Sequence, residues 1–195
     1  MNIREFSHNL QKLNEEMADT FMLYQASTGL HCLPGCGKCC QNPDVEATPM
    51  EMIPMALKIL DEGSMDEWHE RLSTSENLPC LIFNGKNCGS YQERPSVCRM
   101  FGVGGYFDKE HKPVLSICKH IREANPVETK EARAHNLTPM ISHWSSRLAA
   151  LHPDLIKERQ SINRALKIAL EKVALWSQLG AVEAKHNPYL DVTEC

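Results

Sequence analysis

A chain of 195 residues, 42% hydrophobic and 24% charged, can bury a real core, so its nine cysteines are not needed merely to rescue a very small fold. The formal charge is −4 and no Lys/Arg block occurs, which argues against a nucleic-acid partner. No stretch approaches the roughly 18 to 20 continuous apolar residues of a membrane-spanning helix, and the polar N-terminus offers no apolar signal core, so a soluble, cytoplasmic protein without a membrane partner is expected.

Ile3, Phe6, Leu10, Leu13, Met17, Phe21 and Tyr24 recur at three- or four-residue intervals and predict an amphipathic helix over 3–28. It leads into Cys32-Leu33-Pro34-Gly35-Cys36-Gly37-Lys38-Cys39-Cys40, where Pro34, Gly35 and Gly37 break regular structure and shape a loop that turns sulfurs inward. Thr48-Pro49-Met50-Glu51 is a capping box with Pro at the first helical position, starting a helix to about Asp61 that stops near Gly63. Ser64 and Glu67 repeat the pattern and predict a second short helix through Trp68 and Leu72.

Asn84-Gly85, between Cys80 and Cys88, signals a hairpin in which the two cysteines approach across paired strands. A short helix is predicted from Pro95, with Cys98 on its inner face, ended by Gly102, Gly104 and Gly105. Tyr106 to Ile117, split by the polar residues 108–112, reads as another hairpin that delivers Cys118. Beyond Pro126 the chain looks purely helical: Thr138-Pro139 opens one helix through Trp144 and Leu148. Pro153 opens a longer one with Leu155, Ile162, Leu166, Ala169, Leu170, Val173 and Trp176, ended by Gly180. The tail 186–195 is expected to fray, leaving Cys195 a free thiol. The fold class is α+β, mainly α, with helices surrounding small β-hairpins and loops that carry a cysteine-rich metal site. A cysteine-cluster metal-binding domain over 1–124, including the N-terminal helix, is followed by a helical extension over 125–195 packed on it.

Eight cysteines, Cys32, Cys36, Cys39, Cys40, Cys80, Cys88, Cys98 and Cys118, lie within the first 118 residues, twice the number that completes one tetrahedral zinc site or holds one cubane cluster. Two centres or one polynuclear centre would use them all. Cys36 and Cys39 are spaced as a metal-chelating loop. If Cys39 and Cys40 lie in extended chain, their side chains point apart and serve two metals more easily than one. An odd cysteine count and adjacent cysteines fit a disulfide framework poorly. Cys32, Cys36 and Cys39 share their spacing with radical S-adenosylmethionine enzymes, but the β/α-barrel pattern of those enzymes is missing. His31, His111 and His120 are candidates to replace a sulfur, although a hydrogen-bonded histidine is the commoner fate. Arg94 and Arg99 can offset thiolate charge or pin a turn, while Tyr91 and Phe101 are expected to roof the site. No general base, phosphate loop or nucleophile triad is visible.

Gly-Cys-Gly-Lys-Cys-Cys at 35–40, the Thr48-Pro49-Met50-Glu51 helix start, Cys80, and the run from Cys88 through Tyr91, Arg94-Pro95 and Cys98-Arg99 to Phe101 resemble the bacterial YkgJ-type cysteine-cluster proteins over about residues 30–122. That family is described as zinc- or iron-chelating, and in part as iron–sulfur proteins. Three residues separate Cys32 from Cys36 where the family pattern has two, and the helical half lies outside the motif. The resemblance implies metal binding through up to eight cysteines and no particular reaction. Zinc and iron both suit sulfur-only ligation; the adjacent cysteines and the family description tilt the expectation towards iron or an iron–sulfur cluster. The alternatives are an iron-dependent redox or methyl-transfer enzyme, and a zinc-stapled module whose helical half binds a protein partner.

Overall fold

The computed structural model describes residues 2–75, 78–135 and 137–180. It is mainly α-helical with two small antiparallel two-stranded sheets, the α+β class expected.

Helix α1 (Ile3–Thr28) begins where the Asn2 side chain accepts the Glu5 N–H, and ends where Gly29 turns to φ 69° and donates to the Gln25 carbonyl. Asn2 thereby satisfies one of the orphan amides of the first turn, and glycine adopts the left-handed cap at no steric cost. The helix serves two cores. Phe6, Leu10, Leu13, Met17 and Phe21 enter the larger, while Tyr24, one turn before the end, joins Leu30, Val103 and Ile121 in a smaller one.

Thr48 and Glu51 form the expected capping box. Its first turn is a 3-10 turn, Pro49–Met52, which passes directly into α2 (Ile53–Asp61). Ile53, Pro54, Met55, Ala56, Leu57 and Ile59 are all buried, so this helix runs through the interior rather than along the surface. The second short helix, α3 (Met65–Ser73), forms without the expected cap: Ser64 makes no side-chain cap bond, and its hydroxyl donates instead to the Ile59 carbonyl. Ser64 at φ −103°, ψ 21° lacks the extended backbone that aims an N-cap oxygen at the N3 amide.

Helix α4 (Ser96–Met100) follows Pro95. Gly104 and Gly105, expected to close that helix, lie instead inside strand β2 (Val103–Phe107), which follows the two-residue strand β1 (Glu46–Ala47) in the chain. Strand β2 pairs with β3 (Pro113–Ile117) in the register Val103 to Ile117 through Phe107 to Pro113. The Gly105 amide donates to the Pro139 carbonyl at 2.9 Å, and a Cβ there would lie 2.8 Å from the Thr138 methyl, so a close chain crossing requires glycine. Helices α5 (Lys119–Ala124) and α6 (Pro126–Glu131) follow, then α7 (Ile141–Leu151).

The second half departs from a purely helical reading. Pro153 opens only a 3-10 turn, Pro153–Ile156. Glu158 then takes φ 47°, and strand β4 (Gln160–Ser161) pairs antiparallel with β1. Only after this does α8 (Ile162–Gln178) begin. The long helix expected from Pro153 is divided because its middle is drawn out to complete a sheet with residues 46–47. Helices α1, α2, α7 and α8 enclose the larger core, with Trp144, Leu148, Leu166, Ala169, Leu170 and Val173 buried in it. Gly180 at φ 69° follows α8 as expected; the tail and Cys195 lie outside the described residues. Among the described residues no helix is long and apolar enough to cross a membrane.

Candidate metal centre

The cysteine loop is built from two turns. Cys36 donates its N–H to the Leu33 carbonyl across a turn with Gly35 at φ 71°, and Gln41 donates to the Gly37 carbonyl at 3.1 Å. The second bond, five residues to one, coils the chain around Cys39 and Cys40. The two thiols hydrogen-bond to each other. The expectation that these neighbours point apart is therefore corrected, because it assumed extended backbone and the segment is a helical turn.

The next segment is joined to this loop directly. Cys80 donates its amide to the Cys40 carbonyl at 3.0 Å, and its thiol faces the N–H groups of Ile82 and Phe83. The paired strands expected between Cys80 and Cys88 reduce to one antiparallel bridge, Phe83 to Cys88. Asn84 Oδ1 collects the amides of Lys86 and Asn87, and Gly89 donates to the Ile82 carbonyl at 2.8 Å, which closes a tight loop with no length of strand. The Phe83 ring lies where a Cβ on Gly37 would be, packing this loop onto the first.

Residues far along the chain hold the segment in place. Buried Asn163 accepts the Leu81 N–H at 2.9 Å and donates to the carbonyls of Leu78 and Pro79 at 3.2 and 3.0 Å. Buried Glu51 accepts the Thr48 amide at 2.8 Å with one carboxylate oxygen and the Val97 amide at 3.0 Å with the other. Ser96 donates its hydroxyl to Asn14 Oδ1 at 2.7 Å, so α4 is fixed on both sides of its first turn, next to Cys98. Cys118 follows β3, with its N–H on the Gly102 carbonyl at 2.7 Å.

The thiols of separate segments influence one another electrostatically. Cys32 is exposed as a residue, but partial desolvation of its sulfur, followed by the charges of Cys36, Cys39 and Cys118, pushes the thiol up to about 11. Burial also raises Cys80 to about 11, with Cys88 and Cys39 adding to it, and raises Cys98, with Cys80, Cys39 and Cys88 adding to it. Cys39 goes the other way. The hydrogen bond from the Cys40 thiol lowers it, helped by backbone N–H groups and the charge of Arg94. Charge influence thus links sulfurs of all four segments, and Cys39 takes part in most of it. The described side chains include no group of three or more Cys, His, Asp or Glu placed to hold an ion.

Arg94 supplies a test of fit. Its guanidinium lies 3.7 Å from the Tyr91 ring centroid, its charge acts on Cys39 and Cys98, and its Nε–H is buried without an acceptor. A ligated thiolate centre would offer this donor an acceptor and a counter-charge. Arg99 pins a turn, donating to the Gln92 carbonyl at 2.5 Å. Tyr91 and Phe101, expected to roof the site, are 56% and 44% exposed.

Each candidate histidine has a local setting. The His31 ring bonds the Gly29 carbonyl at 2.8 Å, His120 sits 3.6 Å from Glu123, and His111 occupies the β2–β3 turn at φ 57°. Sequence reasoning missed Asn163 and the second bond of Glu51. The capping box announced Glu51, but its contact with Val97 is non-local, and nothing local to Asn163 distinguishes it from a surface residue of α8.

No curated protein and no solved structure matches this chain. A family model does match residues 31–131, just over half of the chain and the whole span from Cys32 to Cys118, and the chain therefore belongs to the CxxCxxCC family, described as a putative zinc- or iron-chelating domain.

Proposed function

We propose that the protein is a metal-binding protein that holds zinc or iron, the latter as single ions or as an iron–sulfur cluster, through Cys32, Cys36, Cys39, Cys40, Cys80, Cys88, Cys98 and Cys118. The observation that supports the reading most is the family match over residues 31–131, together with the charge influence that sulfurs of separate segments exert on one another, Cys39 among them each time. Thiolate donors without oxygen ligands suit both metals. The hydrogen bond from Cys40 and the charge of Arg94 both favour thiolate at Cys39, the form that ligates. Amides facing the Cys80 sulfur orient and stabilise it in the way outer-shell donors do.

The test is anaerobic purification followed by metal analysis and visible absorption. Bound iron with thiolate-to-metal absorption, or a colourless protein with zinc, fits the proposal. A metal-free protein that stays folded and loses no stability in chelator rejects it.

One observation favours a structural role for the metal. The loop between Cys80 and Cys88 is anchored at its base by Ile82, but its tip has a single bridge and exposed residues from Asn84 to Asn87. A metal joining it to the residue 32–40 loop would contribute folding free energy directly. In that case chelation lowers the unfolding temperature and releases this loop to protease while α8 stays protected.

A further inference from the structure

We propose that the cleft between helices α2 and α3 and the residue 81–90 loop is a binding site for a small organic monoanion, a carboxylate carried on an apolar body. Among the described residues no cysteine lines this cleft, so the proposal is independent of the reading of the protein as a metal binder.

The cleft has a volume of about 320 Å³, at the lower end of the roughly 300–1,000 Å³ typical of small-molecule sites. Ile59 of α2, Trp68 of α3 and Phe83 of the loop line it, so three separate segments contribute its apolar surface. A cavity of about 150 Å³ already accepts benzene. There is room here for one ring, or a branched chain, together with a charged group.

The charged residues of the lining are Lys58, Arg71 and Glu62. Lys58 donates to Ser90 Oγ at 3.0 Å and to Glu93 Oε2 at 3.3 Å, which uses two of the three protons of its ammonium group. The third has no protein acceptor among the described residues. Glu93 balances much of the Lys58 charge and Glu62 is exposed, so Arg71 is the principal anchor. A dianion would meet both carboxylates without enough positive charge to offset them, and a monoanion fits better.

Arg71 is held in place before any ligand arrives. Its guanidinium lies 4.2 Å from the Trp68 ring centroid, and Nη2 donates to the Leu81 carbonyl at 3.2 Å. Its carboxylate partner, Glu67, is 3.6 Å from Nη1 with a side chain 67% exposed, the kind of surface pair that contributes little. A ligand carboxylate can therefore replace Glu67 at low cost. The planar guanidinium matches a carboxylate in a way that an ammonium does not, and recognition by a group already fixed loses less entropy on binding.

The test titrates the full chain, as purified, with sodium phenylacetate and follows calorimetry and tryptophan fluorescence. Half-saturation at about 1 mM is expected for a ligand of so few atoms, with an emission change that Trp68→Phe abolishes. Phenylacetamide keeps the ring without the charge, and acetate keeps the charge without the ring; each should bind at least about tenfold more weakly. Arg71→Gln should weaken phenylacetate about tenfold, while Lys86→Gln, at the exposed tip of the same loop, should leave it unchanged. Should Arg71→Gln fail to fold, the ligand series on native protein decides the matter by itself. No saturable binding to native protein, equal affinity for phenylacetamide, or undiminished affinity in folded Arg71→Gln overturns the proposal. Tighter binding of phenyl phosphate or of phenethylamine overturns the assignment of a monoanion, and an emission change retained in Trp68→Phe overturns the assignment of the cleft.

Discussion

The buried carboxylate of Glu51 accepts the amide hydrogen of Val97 at 3.0 Å, so the residue that completes the capping box of one helical segment also fixes the helix that carries Cys98. Burial is the main influence on this carboxyl and raises its pKa, while the two backbone donors it accepts from favour the ionised form. Replacing Glu51 by Ala keeps the bond from the residue 51 amide to Thr48 Oγ but leaves the Thr48 and Val97 amides without their acceptor. A loss of about 2–4 kcal/mol is expected from the two unsatisfied amides, measured by urea denaturation. The same variant should bind metal more weakly than native protein, because α4 loses its brace beside Cys98. Unchanged affinity in a destabilised variant would show that α4 is placed by Ser96 and Asn14 alone.

Asn163 offers a sharper discrimination. Its amide group both accepts and donates, and all of these bonds go to the chain between Ser75 and Leu81. Asn163→Asp keeps the acceptor for Leu81 but faces carbonyl oxygens with a carboxylate that has nothing to donate. It should therefore destabilise at least as much as Asn163→Ala, for which about 2–4 kcal/mol is expected. An aspartate variant as stable as native would mean that the bonds to Leu78 and Pro79 contribute nothing.

Gly37 and Phe83 make the side-chain contact between the first two cysteine segments. A methyl group on Gly37 overlaps the Phe83 ring, so Gly37→Ala forces the ring, and with it the Cys80 loop, away. Overpacking of this kind costs about 1–3 kcal/mol. The second change, Phe83→Leu, should restore part of both stability and metal content, and a double-mutant cycle reads the coupling. Additive effects would show that the ring moves aside freely.

The metal-free, reduced protein should lose stability as pH rises above about 9. Cys80 titrates near 9 in an unperturbed chain but is raised to about 11 by burial in the folded one. Between those values the native state holds a proton that the unfolded state has released, so the stabilisation present below pH 9 disappears as pH approaches 11. Urea titrations at pH 8 and 10.5 measure the decline, and Cys80→Ser should reduce it. Metal reverses the sign, since ligation needs thiolate, and holo protein should instead lose stability as pH falls.

Much of this architecture is legible in local sequence patterns. The spacing from Ile3 to Tyr24 shows α1, and Thr48 with Glu51 shows where the next helical segment begins, because periodicity and capping act over three or four residues. The arrangement of the site is less legible because its decisive bonds are long-range. Asn84-Gly85 marks a turn correctly, yet whether strands flank it depends on Cys80, whose amide is taken by Cys40. Pro153 is a sound helix start, but strand β1 competes for residues 160–161 and ends that helix within a turn. The relation of Cys39 to Cys40 is hidden in the sequence for a related reason: the bond from Gln41 to the Gly37 carbonyl decides it, and glycine-containing turns leave several conformations open to the same residues.

The clamp from Asn163 to Leu81 spans 82 residues of chain, and the β1–β4 pairing joins residues 46–47 to residues 160–161. Such distant pairings form late, since the loop they close must be ordered first. During synthesis from the N-terminus, every thiol from Cys32 to Cys118 leaves the ribosome before the residues that position Cys80 exist. On the proposed function, metal capture in its final geometry would then follow synthesis. A chain stalled before residue 160 presents its sulfurs without their scaffold, open to oxidation or to the wrong ion. The interval between making the ligands and placing them is the stage at which supply of the correct metal matters most to this protein.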